Sequence, residues 1–271
     1  MTRRAIVPKL AVASVLWLGP AAHAGSDQLA RGPRTVDARP NVIVVVADDL
    51  GTDLLEIYEP FYPGTPTIPP PPPTPAIDWL AAGGMVFTDF WTSPVCTPTR
   101  AQILTGRMPS RTGLGGLGFW TDPEPGLQLS ERTLPQFLHK VSPPYFSAGL
   151  GKWHVASTND FADWNHALGP KDDPWFDMWA GALFNLSAGE GTDYNNWEKT
   201  FATAIDPVMD EYRAPRRFPG RILLDADSAA STSPGHYATV DTIDDAVHLV
   251  GTLPEPFFLY VAFAAPHIPP T

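Results

Sequence analysis

The chain has 271 residues, with 18 basic and 29 acidic side chains, and 44% of its residues are apolar. This apolar content is typical of a folded globular protein and argues against a disordered chain. The acidic excess argues against a general binder of nucleic acid or of an anionic membrane surface, so no nucleic-acid partner is expected.

The first 24 residues are typical of a cleavable export signal. A basic start over residues 2–9 and an apolar run from Leu10 to Leu18 lead to an A-x-A cleavage pattern that ends at Ala24. Because the run is too short for a stable membrane span, we predict a periplasmic or secreted protein. Cys96 is the only cysteine, so no internal disulfide can form, and a lone exported thiol calls for a chemical reason.

Alternating strands and helices follow a polar N-terminal lead over residues 25–40. The predicted elements are strands over 41–47, 85–91, 145–151 and 257–264, and helices over 75–83, 99–104 and 133–141 and around Val240, Ile243, Val247 and Val250. Residues 153–235 lack periodicity and are interpreted as an irregular elaboration. The alternation predicts an α/β fold, with a mostly parallel central sheet flanked by helices.

Chemically capable side chains follow three of these strands. Asp48 and Asp49 end the first, Lys152 and His154 follow the third, and His267 follows the last. Ligands of open α/β sheets bind beyond the carboxyl ends of the strands, so these residues are expected to converge. Adjacent carboxylates suit a hard divalent cation, although an isolated Asp-Asp pair is more often a cap or a solvated turn. Each histidine alone is equally compatible with a structural role.

Cys96 lies at the predicted beginning of a helix, because Pro98 favours the first helical turn. The free amides and the positive end of the helix dipole favour an anion at that place. Arg100 follows in the first turn, and its guanidinium matches the geometry of a sulfate or phosphate. The alternative is an ordinary buried cysteine in a turn.

The segment Pro94 to Gly106, PVCTPTRAQILTG, resembles the sulfatase signature C-x-P-x-R with its following T-G. Gly151-Lys152-Trp153-His154 is similar to the second signature of that family, although Pro144 stands where the family usually has glycine. Residues 41–50 resemble the first metal-binding strand, and Ala265-Pro266-His267 resembles the later histidine segment. The resemblance covers residues 41–271 and thins between 155 and 235.

The resemblance implies an alkaline-phosphatase-like sulfatase domain that hydrolyses a sulfated small molecule or carbohydrate. A formylglycine-generating enzyme would oxidise Cys96 to formylglycine, whose hydrate attacks the sulfur of the ester. The implied ligands of one Ca²⁺ are Asp48, Asp49 and the modified Cys96. Arg100 would stabilise the hydrated formylglycine, His154 would bind the diol, and Lys152 would bind the sulfate. His267 would contact the sulfate or assist the leaving group.

The chain departs from the family pattern in one respect. The family completes its metal site with an Asp-Asn pair and adds a second lysine at the sulfate, whereas this sequence has no Asp-Asn dipeptide and has four residues after His267. Residues 41–271 are therefore interpreted as the N-terminal portion of a catalytic domain whose C-terminal part is missing, with weak Ca²⁺ binding and little activity. The alternatives are a phosphodiester or phosphonate monoester hydrolase of the same superfamily, or an inactive remnant.

Overall fold

A computed structural model of the chain describes residues 14–16, 39–61, 71–115, 125–156, 169–170, 173–186, 194, 197–203, 231–232 and 237–267. Most of the predicted export signal and of the polar lead lies outside these residues. The exception is Ser14–Leu16, which forms a short strand, and the export signal stays a prediction. Among the described residues, no helix combines the length and the apolarity needed to cross a membrane.

The described strands form one sheet. They are β1 (Ser14–Leu16), β2 (Val42–Asp48), β3 (Phe146–Lys152), β4 (Met178–Ala182), β5 (Glu198–Thr203), β6 (Ser231–Thr232) and β7 (Phe257–Pro266), in the spatial order β1-β2-β7-β3-β4-β5-β6. The four adjacent strands β2, β7, β3 and β4 run parallel, and the outer strands pair antiparallel. The predicted α/β fold with a mostly parallel sheet is confirmed.

Helices lie on both faces of this sheet. They are α1 (Pro75–Gly83), α2 (Cys96–Thr105), α3 (Pro109–Thr112), α4 (Leu134–His139) and α5 (Ala238–Thr252), with 3-10 turns at Thr52–Leu54 and Glu56–Phe61. Helix α4 begins with a capping box, in which Thr133 and Gln136 exchange side-chain and main-chain hydrogen bonds. The predicted helices are confirmed, with ends that differ by a few residues.

Side chains alternate along β7 between two hydrophobic layers. Phe258 and Tyr260 pack on one face with Trp179 and with residues of α2, whereas Leu259 and Val261 pack on the other face with Leu249 of α5. The central strands are thus buried on both faces, which explains their nearly continuous apolar sequences. This burial fixes the strand ends from which the candidate site is built.

Two sequence predictions are wrong. Residues 85–91 form no strand and pair with none of the described strands, and Phe87, Phe90 and Trp91 are exposed. The supposedly irregular region supplies β4, which pairs in parallel with β3. β4 is too short, and too rich in alanine and glycine, for its composition alone to indicate a strand.

Helix α5 exposes four of its apolar residues, although Leu249 packs inward. Val240, Ile243, Val247 and Val250 are exposed, while Asp241 and Asp245 are buried. Both buried carboxylates accept hydrogen bonds from Lys199 of β5, at 3.3 Å in the case of Asp241. Sequence periodicity located the helix, but this buried ion cluster decides which of its faces meets the sheet.

Candidate active site

The carboxyl ends of β2, β7 and β3 meet at one edge of the sheet. The parallel register places Asp48 opposite Pro266 and Gly151 opposite Ala262. The structure thus brings together the three groups of residues that were singled out from sequence, namely Asp48 and Asp49, Lys152 and His154, and His267. Helix α2 adds Cys96 and Arg100 to the same edge.

The end of β3 depends on a glycine. Gly151 has a φ of 84°, and a Cβ atom built there would lie 2.1 Å from the main-chain oxygen of Ala262 in β7. A side chain at this position would therefore push β3 away from β7. Beyond it, the amide of His154 donates to Leu183 O at 2.8 Å, so the continuation of β4 holds His154 in place.

Asp49 and His154 are the described non-glycine residues with positive φ, at 65° and 55°. Left-handed backbone in such residues costs free energy and clusters at functional sites. Both residues belong to the candidate site, at the ends of two different strands. The strained backbone thus lies at two residues for which the sequence predicts a functional role.

Cys96 is the first residue of α2. The preceding Val95 is extended and offers no side-chain cap, so the first amides of the helix are left for another acceptor. The Sγ atom of Cys96 lies 3.1 Å from Nδ1 of His154, across 58 sequence positions. A thiol, an imidazole nitrogen and a helix N-terminus are therefore in contact.

Two buried cations surround one buried carboxylate. Lys152 Nζ and Arg100 Nη2 both donate to Oδ2 of Asp48, the latter at 3.2 Å, and all three residues are at most 4% exposed. Arg100 also donates to the main-chain oxygens of Lys152 and, at 3.4 Å, of Phe263. Its guanidinium therefore links β2, β3 and β7, and the group carries one positive charge in excess.

Burial determines the protonation tendencies of the site. Burial, reinforced by the Arg100 charge, lowers the pKa of Lys152, and the nearby Asp48 carboxylate opposes this shift. Burial, followed by the charges of Lys152, Arg100 and His267, holds the pKa of His154 well below its ordinary value. His154 is therefore a neutral imidazole beside Cys96, with a nitrogen that can exchange a proton.

Asp49 and His267 form the outer part of the site. Asp49 Oδ2 lies 3.7 Å from Nε2 of His267, and both side chains are partly exposed. Tyr194 donates its hydroxyl hydrogen to the main-chain oxygen of His267 at 2.7 Å. Sequence analysis assigned Tyr194 no role, because it lies in the region without periodicity and no local motif marks it.

Asp48 and Asp49 are suitable ligands for a calcium ion, but two carboxylates are too few to fill its coordination shell. Ca²⁺ takes six to eight oxygen ligands, and Asp48 and Asp49 are hard oxygen donors of the right kind. One oxygen of Asp48 is, however, engaged by Lys152 and Arg100. Across the described residues, no group of three or more His, Cys, Asp or Glu side chains is placed to hold a metal ion.

The chain belongs to the sulfatase family, whose family model, described as "Sulfatase", matches residues 40–271. It is 30% identical over 241 residues to N-acetylgalactosamine-6-sulfatase of Rattus norvegicus, covering 85% of this chain and 40% of that protein. It is 32% identical over 238 residues to arylsulfatase A of Bos taurus, covering 85% and 42%. The chain thus spans about two fifths of the length of these relatives.

Solved structures agree with this fold. A protein in complex with its substrate D-glucosamine-2-N,6-O-disulfate superposes with a TM-score of 0.55 at 22% identity, covering 84% of this chain and 35% of that chain. A second protein, in complex with k-i-k-neocarrahexaose, superposes with a TM-score of 0.51 at 25% identity, covering 84% and 45%. The mostly parallel sheet with its helices is therefore the fold of this family.

Proposed function

We propose that this chain carries the nucleophilic half of a site that hydrolyses sulfate esters. The observation that carries the proposal is the position of Cys96, at the uncapped N-terminus of α2, in contact with His154 and beside the buried cations Arg100 and Lys152. A helix N-terminus and an excess of buried positive charge both favour a sulfate group at this place.

Oxidation of Cys96 to formylglycine by a formylglycine-generating enzyme would supply an aldehyde, whose hydrate acts as the nucleophile. His154 is placed to exchange a proton with the group at position 96, because its Nδ1 faces that side chain. Arg100 and Lys152 would compensate the negative charge of the sulfate, and His267 would contact the sulfate or assist the leaving group. Hydrolysis would release the alcohol and inorganic sulfate, with one water consumed.

Calcium is the cation that the family resemblance implies. Asp48, Asp49 and the modified residue at position 96 would be its ligands, and it would polarise the sulfate oxygens when bound. Because these residues do not complete a calcium shell, we propose that the 271-residue chain binds the ion weakly and has low activity.

We propose a sulfated carbohydrate as the substrate class. The support comes from the names of similar proteins, an N-acetylgalactosamine-6-sulfatase at 30% identity and a protein solved with k-i-k-neocarrahexaose at 25%. A periplasmic or secreted location, reached through an export signal cleaved after Ala24, belongs to the same proposal. It rests on the basic and apolar pattern of residues 1–24.

The test is the hydrolysis of an aryl sulfate by the full chain co-expressed with a formylglycine-generating enzyme, compared with the Cys96→Ala variant. Mass spectrometry of the peptide that contains position 96 establishes whether the oxidation has occurred. Turnover that requires both Cys96 and its oxidation supports the proposal. Faster turnover of an aryl phosphate or of a phosphodiester by the same preparation would replace the sulfatase assignment with the phosphoester alternative. Absence of turnover of either substrate by the oxidised chain would contradict the proposal.

A further inference from the structure

Tyr194 makes three separate contacts at the rim of the candidate site. Its hydroxyl donates to His267 O at 2.7 Å, and its ring stacks on Tyr237 with centroids 5.4 Å apart and planes inclined by 28°. Its own main-chain oxygen accepts the amide of Ala238, the first residue of α5, at 2.7 Å. Tyr194 therefore connects the beginning of α5 to the end of β7.

His267 is the first residue beyond the end of β7. It directly follows Pro266, the last residue of β7. Its amide donates back to Ala264 O at 3.0 Å, whereas its carbonyl oxygen is held by Tyr194 from 73 sequence positions away. Its ring faces Asp49 across 3.7 Å. The direction of this ring thus depends on a main chain that Tyr194 fixes from outside the strand.

The Tyr194 hydroxyl is a dependable donor. Burial raises the pKa of Tyr194 to about 12, and Tyr237, Asp48 and Asp49 act in the same direction. The phenol therefore keeps its proton under ordinary conditions, and the hydrogen bond to His267 persists. The stacked ring of Tyr237 restricts the rotation of the Tyr194 ring, so the hydrogen bond forms at a smaller cost in conformational entropy.

We propose that Tyr194, supported by Tyr237, is a positioning residue that holds His267 against Asp49 in the candidate site. Tyr194 acts through the main chain of His267 and does not itself meet the reacting atoms. The inference rests on the proposed function for the catalytic meaning of His267, but the positioning itself is a structural property that can be measured separately.

The decisive variant is Tyr194→Phe, which removes one hydroxyl and keeps the ring. Tyr145→Phe is the matched control, because the Tyr145 hydroxyl also donates to a main-chain oxygen, that of Pro40 at 3.0 Å, just before β3 begins. Both changes remove a phenol-to-carbonyl hydrogen bond, but Tyr145 lies at the opposite end of the strands. If Tyr194 only stabilised the fold, Tyr194→Phe and Tyr145→Phe should behave alike.

The first readout is the NMR signal of the His267 ring in histidine-labelled full chain, assigned by its loss in His267→Gln. We expect this signal to shift or broaden in Tyr194→Phe and to stay unchanged in Tyr145→Phe. A Tyr237→Leu variant, which removes the stacking partner, should give a smaller change in the same direction. An unchanged His267 signal in Tyr194→Phe, or an equal change in both tyrosine-to-phenylalanine variants, would overturn the proposal.

The second readout is the kinetics of aryl sulfate hydrolysis by the oxidised chain. We expect kcat to fall about three- to tenfold in Tyr194→Phe, the effect of one lost hydrogen bond, with KM within about twofold of the parent value. A change in KM alone would assign Tyr194 to substrate binding and contradict positioning. If the parent chain shows no turnover, the proposed function fails, while the NMR comparison still decides whether Tyr194 positions His267.

Discussion

Two buried ion clusters stand on different sides of the sheet, and their described members differ in the balance of cations and carboxylates. At the candidate site, Arg100 and Lys152 surround the single carboxylate of Asp48. Under α5, the single ammonium of Lys199 lies between Asp241 and Asp245. The first cluster joins two cations to one carboxylate, and the described members of the second join one cation to two carboxylates.

The neighbours of the two clusters differ as well. Cys96, His154 and the uncapped N-terminus of α2 surround the first, whereas the second joins β5 to α5 beneath a helix whose apolar face is exposed. A buried ion cluster is therefore not by itself a sign of catalysis. What distinguishes the candidate site is a pair of buried cations that lies beside the thiol of Cys96 and the N-terminus of α2.

The variant Cys96→Ala should lose activity without losing stability. Cys96→Ala should abolish aryl sulfate turnover and leave the free energy of unfolding within about 1 kcal/mol of the parent, because Cys96 is only partly buried and both ion clusters remain intact. Turnover assays and urea unfolding measure the two quantities. Equal turnover in this variant would eliminate Cys96 as the nucleophile precursor.

The next effect compares the two clusters directly. Asp48→Asn leaves Arg100 and Lys152 buried without their carboxylate, and Lys199→Met leaves Asp241 and Asp245 without that ammonium. Removal of one partner from a buried ion pair costs about 3–5 kcal/mol, so both variants should lose several kcal/mol of unfolding free energy in urea. Only Asp48→Asn should also lose turnover per folded molecule. A Lys199→Met variant that remains folded but inactive would make the second cluster part of the active site.

Calcium binding should also differ between the two clusters, with a smaller measured effect than the substitutions of Asp48 and Lys199. Calorimetric titration of the full chain is expected to give an affinity poorer than the about 10⁻⁵ M of the weaker sensor sites, since Asp48 and Asp49 complete only part of a calcium shell. Asp49→Asn should remove the measured heat, and Asp245→Asn should retain it. Binding tighter than this limit would contradict the incomplete site, and loss of the heat in Asp245→Asn would move the ion to the second cluster.

The exposed ion pairs of Asp173 should contribute least to the free energy of unfolding, and they serve as a reference for the two buried clusters. Partial burial alone would raise the pKa of Asp173, but the hydrogen bonds from Lys140 and Arg132 outweigh it and lower this pKa. Since the folded pKa lies below the unfolded one, the stabilisation is present above about pH 4 and is lost as the pH falls. Asp173→Asn should cost less than about 1 kcal/mol at pH 7 and less in high salt. A loss as large as that of Lys199→Met would show that exposure does not weaken this pair.

Much of the fold could be predicted from local sequence. β2 and β7 are long apolar runs, and such strands belong in the middle of a parallel sheet. The prediction was wrong where composition and pairing disagree. Residues 85–91 have strand-like side chains but pair with no strand that the structure describes, whereas β4 pairs with β3 but has little strand-like sequence. Strand formation is decided by pairing, which a local pattern does not contain.

The candidate site was predictable for a different reason. Asp48 and Lys152 end their strands and His267 directly follows one, and parallel strands place their carboxyl ends at one edge whatever their separation in sequence. Tyr194 follows no such rule, because it reaches His267 from the side, across 73 positions. The outward apolar face of α5 also escaped prediction, since its orientation depends on Lys199 in another strand.

From the amino-acid sequence alone, Cys96 is placed at the beginning of a helix, two carboxylates at the end of one strand, and a lysine and two histidines at the ends of two other strands. These features are local, because they depend on residue type and on position relative to a strand or helix end. The tertiary structure decided which charges face each other and which residues hold them in place. Burial, ion pairing and main-chain contacts between distant segments set those relations, and they exist only once the chain has folded.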